Sequence, residues 1–111
     1  MNVQIFGTKK SFDSKKAERY FKERGIKYQF VDMKEKGLSK GEFNSVCQAG
    51  YEKLIDPKCK DKNLLALVQY LSEEDKKEKI LENQKIIRTP IVRNGKQATV
   101  GYEPDVWKDW K

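Results

Sequence analysis

Val3-Gln4-Ile5-Phe6 runs directly into Gly7-Thr8-Lys9-Lys10-Ser11-Phe12-Asp13-Ser14-Lys15-Lys16-Ala17. The first four residues read as a short buried strand. A basic loop follows, and then a helix over residues 14–24, with Asp13 or Ser14 as its cap, Ala17, Tyr20 and Phe21 turned inward, and Gly25 as its terminator. Glu18 and Lys22 stand four residues apart on its outer side and read as an ion pair. Ile26 to Asp32, with Tyr28, Phe30 and Val31, reads as a second strand. A strand, a helix and a strand in so few residues form a right-handed βαβ unit, so the two strands are expected to be parallel. The start of the helix, ringed by Lys9, Lys10, Lys15 and Lys16, is a place where the exposed N–H groups and the helix dipole stabilise an anion.

Outward from this unit, Gly37 breaks the chain and Ser39 with Glu42 forms a capping box, with Leu38 and Phe43 at the flanking staple positions. The helix so started carries Phe43, Val46 and Cys47 on one face. Residues 51–60 read as irregular, with Pro57 inside Asp56-Pro57-Lys58-Cys59-Lys60. Two further helices are expected over about 62–71 and 73–82, the second capped by Ser72, with Glu73, Glu74 and Asp75 at the positive end of its dipole. The period then changes. Ile91-Val92 and Ala98-Thr99-Val100 flank Asn94-Gly95, a hairpin signal, and Pro90 stands at the start of the first of these strands. Pro104 opens a last short helix with Val106, Trp107 and Trp110 as its docking face.

The 111 residues suffice for one domain with a modest core. With 37% apolar and 37% charged residues, the chain reads as globular with a heavily solvated surface. The longest aliphatic run, Leu64-Leu65-Ala66-Leu67-Val68, is far too short to span a bilayer. Met1 leads straight into a strand pattern rather than a signal peptide, and two cysteines read as free thiols, so the cytoplasm is the expected location. The net charge of +7 arises from 24 basic residues interspersed with 17 acidic ones. Without aromatics along a basic stripe or a recognition motif, nucleic acid is not an expected partner. There is no histidine, which removes the commonest metal ligand and the commonest general base. Cys47 and Cys59 alone cannot assemble a zinc site, so no metal is expected.

The order β-α-β, helical insert, β-β-α resembles the arsenate reductase (ArsC)-like and Spx-like family of glutaredoxin-related proteins. The stretches that carry the resemblance are Ile5 to Gly25, Gly37-Leu38-Ser39, Tyr51-Glu52-Lys53-Leu54-Ile55, Arg88-Thr89-Pro90-Ile91-Val92 and Val100-Gly101-Tyr102-Glu103-Pro104. The resemblance implies a thioredoxin-like α/β domain over residues 1–111. Its four-stranded mixed sheet would be flanked by helices, with the helical insert at about 39–86. It also implies a cis peptide bond before Pro90, a thiol-dependent oxidoreductase activity with no bound cofactor, and glutathione or thioredoxin as reductant.

In that family the nucleophilic cysteine falls on Ser11, and the second cysteine of Spx-type members falls on Ser14. Family arginines that hold an oxyanion would fall after Ile55, where this chain has Lys58 and Lys60, just before the proline, where it has Thr89 preceded by Arg88, and near Gly101. The resemblance therefore implies a catalytic position at Ser11, with Lys9, Lys10, Ser14, Lys58, Arg88, Thr89 and Pro90 around an oxyanion or a glutathione-type partner. A thiolate attacks because nearby positive charge brings its pKa down, whereas a serine hydroxyl stays protonated and has no redox chemistry. Three readings of Ser11 stand side by side: a helix cap, a serine in place of a native cysteine, and a non-redox anion site. Cys47, on an apolar face, reads as a buried inert thiol, and Cys59, between Lys58 and Lys60, as an exposed secondary thiol. The leading expectation is a reductase-type protein that is inactive with Ser11. The alternative is a non-catalytic, Spx-like protein-binding member.

Overall fold

The computed structural model describes residues 1–47 and 51–110. Residues 48–50 of the helical insert lie outside that description. The strands are β1 (Val3–Gly7), β2 (Tyr28–Asp32), β3 (Ile91–Asn94) and β4 (Gln97–Val100), ordered β2-β1-β3-β4 in one sheet. β1 runs parallel to β2 and antiparallel to β3, and β3 pairs with β4 as a hairpin. Helix α1 (Phe12–Glu23) makes the crossover from β1 to β2. Between β2 and β3 lie α2 (Lys40–Val46), α3 (Tyr51–Leu54), α4 (Lys62–Gln69), α5 (Glu73–Glu82) and a 3-10 turn at Gln84–Ile86, and α6 (Pro104–Trp107) follows β4. This is the thioredoxin-like α/β arrangement, with a mixed sheet and flanking helices.

The alternation of the strands sorts the core into two layers. Val3 and Ile5 of β1 and Val92 of β3 join Ala17, Tyr20 and Phe21 of α1 and Trp107 and Trp110 on one face. Phe6 and Ile91 face the other way, into a cluster with Leu38, Phe43, Val46, Leu54, Val68, Ile80, Ile86 and Ile87. The Trp107 ring sits about 5 Å from Tyr20 and Phe21, and its indole N–H donates to Thr99 Oγ1 at 2.8 Å. The second helix begins as its capping box dictates: Ser39 accepts from the Glu42 N–H, and the Glu42 carboxylate accepts from the Ser39 N–H.

Five expectations are corrected. Helix α1 starts two residues early because Ser11, not Asp13 or Ser14, is its cap. Residues 51–60 are not wholly irregular, since Tyr51–Leu54 forms a helical turn. The hairpin loop is Gly95-Lys96 rather than Asn94-Gly95. Asn94 pairs with Gln97 as the last residue of β3, and Gly95 alone takes a positive φ, as the first loop position of a type II′ turn requires. Glu18 accepts from the Tyr28 hydroxyl at 3.3 Å, and among the described residues it forms no ion pair with Lys22. Val106 is exposed, so α6 docks through Trp107, joined by Trp110 just beyond its end.

Two polar side chains tie the insert to the rest. Gln84 accepts from the Leu38 N–H and donates to the Leu38 carbonyl at 2.9 Å, holding the β2–α2 connection against the 3-10 turn. Arg93 donates to Gln4 Oε1 at 2.8 Å and to Ser45 Oγ at 3.1 Å, and it lies 3.7 Å from the Glu42 carboxylate. It therefore joins β3 to β1 and to α2. Replacing Gln84 by alanine strands a partly buried N–H and carbonyl, an expected cost of about 1–3 kcal/mol. The midpoint of urea unfolding should fall accordingly, and an unchanged midpoint would show that water replaces the clamp without penalty.

Candidate functional site

The sheet brings four chain segments to one edge. Gly7 ends β1 opposite Asp32, and the Met33 N–H donates to the Gly7 carbonyl at 2.9 Å. Phe6 pairs with Ile91, so Pro90 lies at the same edge, next to Gly7. The Pro90 carbonyl accepts from the Gly101 N–H at 2.8 Å, bringing the end of β4 alongside. The Thr89–Pro90 peptide is cis, as the family resemblance implied. An Ile55–Ile87 bridge and a 2.7 Å hydrogen bond from Arg88 N–H to the Leu54 carbonyl anchor the approach to Pro90 on the insert.

The Gly7–Ser14 loop is folded by short polar contacts. The Ser11 N–H donates to the Thr8 carbonyl at 3.2 Å, closing a turn over Lys9 and Lys10, both exposed. Ser11 Oγ then accepts from the Ser14 N–H at 3.2 Å, the bond that starts α1. Ser14 points the other way: it is buried, and its Oγ accepts from the Thr8 N–H at 3.4 Å. Gly7 is required beside it, because a Cβ at position 7 would run into Ser14 Oγ and lie 2.9 Å from Ser14 Cβ. Phe12, the first helical residue, is 79% exposed. The loop thus presents a hydroxyl oxygen already engaged by a helix N–H, in a setting of exposed lysines.

The other candidates are placed as follows. Arg88 and Thr89 are half-buried and Pro90 is buried. The Arg88 aliphatic stem passes close to Gly101, with Cδ 3.9 Å from where a Cβ would stand. Lys58 lines a separate surface cavity of about 550 Å³ with Cys59, Lys60, Asp61 and Lys85. Cys59 is half-buried rather than exposed, because its Sγ is turned toward the Lys85 carbonyl at 3.9 Å. Cys47 is also half-buried, packed against the insert core. Among the described residues, no cluster of His, Cys, Asp or Glu side chains is placed to hold a metal, and no helix is long and apolar enough to cross a membrane. Sequence reasoning passed over Asp61, whose carboxylate caps α4 through the Leu64 N–H at 3.0 Å and pairs with Lys85 at 3.2 Å. An Asp before an apolar helical run was the available signal.

A thioredoxin-like domain with a helical insert, a cis-proline beside the end of β1 and a capped loop at the start of α1 defines the class. The family follows from comparison. The ArsC family model matches residues 6–110, and the chain belongs to that family. Among solved structures, a protein of Bacteroides fragilis described as ArsC family related superposes with a TM-score of 0.86 at 18% identity, covering 100% of this chain and 98% of its own. An arsenate reductase from Vibrio cholerae superposes with a TM-score of 0.80 at 24% identity, covering 96% of this chain and 94% of its own. No curated protein matches the chain in sequence.

Two outcomes follow from these contacts. Ser11→Ala removes the N-cap and should cost about 0.5–2 kcal/mol in chemical denaturation, whereas Ser11→Asp should retain most of the stability. Equal losses in both variants would mean that capping is not what the hydroxyl does. The Asp61 carboxyl is held below its ordinary value of 3.8 by the Leu64 N–H and then by Lys85. A lowered folded-state pKa gives stability that is present above 3.8 and is lost as the pH falls through the folded value. Asp61→Asn should therefore flatten the acid limb of the unfolding profile below about pH 4, and an unaltered limb would overturn that linkage.

Proposed function

We propose that this chain is a reductase-type ArsC domain whose nucleophile position is occupied by Ser11, leaving the site redox-silent while keeping its anion-binding setting. The observation that carries the reading is the 3.2 Å bond from the Ser14 N–H to Ser11 Oγ at the helix N-cap. A sulfur at that atom would accept the same N–H, feel the same helix dipole and lie near the same lysines, all of which favour a thiolate. The oxygen that is there has no redox chemistry, and without a histidine the chain lacks the usual base to activate it. Lys9, Lys10 and the first N–H groups of α1 would draw an oxyanion or a carboxylate of glutathione. Thr89 and Pro90 would offer backbone to a peptide-like partner, and glutathione or thioredoxin would be the reductant of a cysteine-bearing form. Arg88 stands in this reading as a further cation at the same sheet edge. Lys58 and Cys59 would act from their own cavity, Cys59 as a secondary thiol.

A second reading, a protein-binding member in the Spx manner, draws on Phe12. A fully apolar ring that is 79% exposed, one residue from Ser11, suits contact with a protein surface better than a small oxyanion.

Ser11→Cys is the test, in a background with Cys47 and Cys59 replaced by serine. The new thiol should titrate below the ordinary value of about 8.5 and form a mixed disulfide with glutathione. It should also confer arsenate or glutathione-disulfide reduction that the Ser11 chain lacks. An unreactive residue 11, or turnover by the Ser11 chain itself, would sink the reading.

A further inference from the structure

Along one side of α1, the exposed Lys16, Arg19, Glu23 and Arg24 and the buried Tyr20 recur at three- and four-residue spacing and form one stripe. With Tyr102 and Pro104 from the β4–α6 connection they line a cleft of about 410 Å³. Its floor is aromatic. Tyr20 is buried and packs edge-on against Trp107 at 5.2 Å, and Tyr102 does the same at 5.5 Å. Its rim is cationic and ordered on those rings. The Arg24 guanidinium lies 3.8 Å from the Tyr20 ring centre and donates to the Tyr20 carbonyl at 3.2 Å, and the Lys16 ammonium lies 5.7 Å over Tyr102.

Among the described residues, no carboxylate comes within ion-pair distance of Lys16, Arg19 or Arg24; the two ion pairs that form, Lys85–Asp61 and Arg93–Glu42, lie elsewhere. Both rings already carry a cation, and with Lys16, Arg19 and Arg24 against Glu23 alone the lining keeps an excess of positive charge, which suits an acidic ligand rather than a stacked base.

We infer that this cleft docks a short, extended, acidic segment of a partner protein. The three cations span about 12 Å along the helix, from the 1.5 Å rise per residue. A single phosphate cannot reach across that distance. Side chains on one face of an extended peptide recur about every 6.6–6.8 Å, so two or three alternating carboxylates match the stripe. Glu23, within the stripe, repels densely packed charge and favours spaced carboxylates over a polyphosphate. Arginine-rich clusters recognise acidic motifs by this kind of charge complementarity. The inference stands independently of the residue at position 11.

The test uses the full chain and a fluorescein-labelled peptide of alternating glutamate and serine, read by anisotropy at low and physiological salt. A glutamine–serine peptide serves as the uncharged control. The acidic peptide should bind, the control should not, and affinity should fall as salt rises. Lys16→Glu with Arg19→Glu should weaken binding about tenfold or more, whereas the same charge change at exposed Lys36 and Lys96 should alter it less than about twofold. Arg24→Gln, a milder change, should weaken binding without reversing charge. Circular dichroism confirms that each variant is folded. Equal losses at both pairs would reduce the effect to net charge and overturn the assignment, as would absence of binding. Displacement of the peptide by pyrophosphate at matched ionic strength would move the site to a small phosphate ligand.

Discussion

The antiparallel pairing of β1 with β3 is the constraint on which the rest depends. Phe6 against Ile91 and Val3 against Asn94 join segments from opposite ends of the chain. Closing so long a loop is entropically costly and is offset only when both faces of the sheet are buried. The two core layers supply that burial: one from α1 and α6 around Trp107, the other from the insert around Phe43, Leu54 and Ile80. Once β3 is seated, Pro90 has no freedom to lie anywhere but beside Gly7. That register sets Pro90, and with it Thr89, beside the end of β1.

The second consequence is local. The close approach of Gly7 and Ser14 lets the chain turn from strand to helix within a few residues, and it sends Ser14 inward while Ser11 faces out. Two serines three apart thus have opposite fates. One is a buried strut beneath the loop, and the other is a cap at the positive end of a helix. A sulfur at the outward position would be stabilised as a thiolate by the same bonds that cap the helix through Ser11.

Local signals were enough for much of this. The capping box at Ser39, the cap at Ser72, the inward face of Ala17, Tyr20 and Phe21, and Pro104 at the start of α6 all act within a few residues, so they could be read directly. The misreadings have tertiary causes. The cap of α1 moved to Ser11 because Ser14 is used by the Gly7–Thr8 turn. Glu18 went to Tyr28 because β2 lies alongside α1. Neither the Gln84 clamp on Leu38 nor the Arg93 contacts with Gln4, Ser45 and Glu42 leave a trace in local spacing, since their partners are far away in the chain.

The sequence by itself determined the order of the main elements, the parallel first unit, the presence of a C-terminal hairpin and the absence of histidine chemistry, and through its motifs the family. These depend on periodicity, turn residues and composition, which are local or additive. Tertiary structure decided which side chains meet. It set Lys58 and Cys59 in their own cavity, brought the Arg88 stem to Gly101, and laid Lys16 and Arg24 on Tyr102 and Tyr20. Such meetings depend on packing between distant segments, and packing is fixed only when the whole sheet has closed.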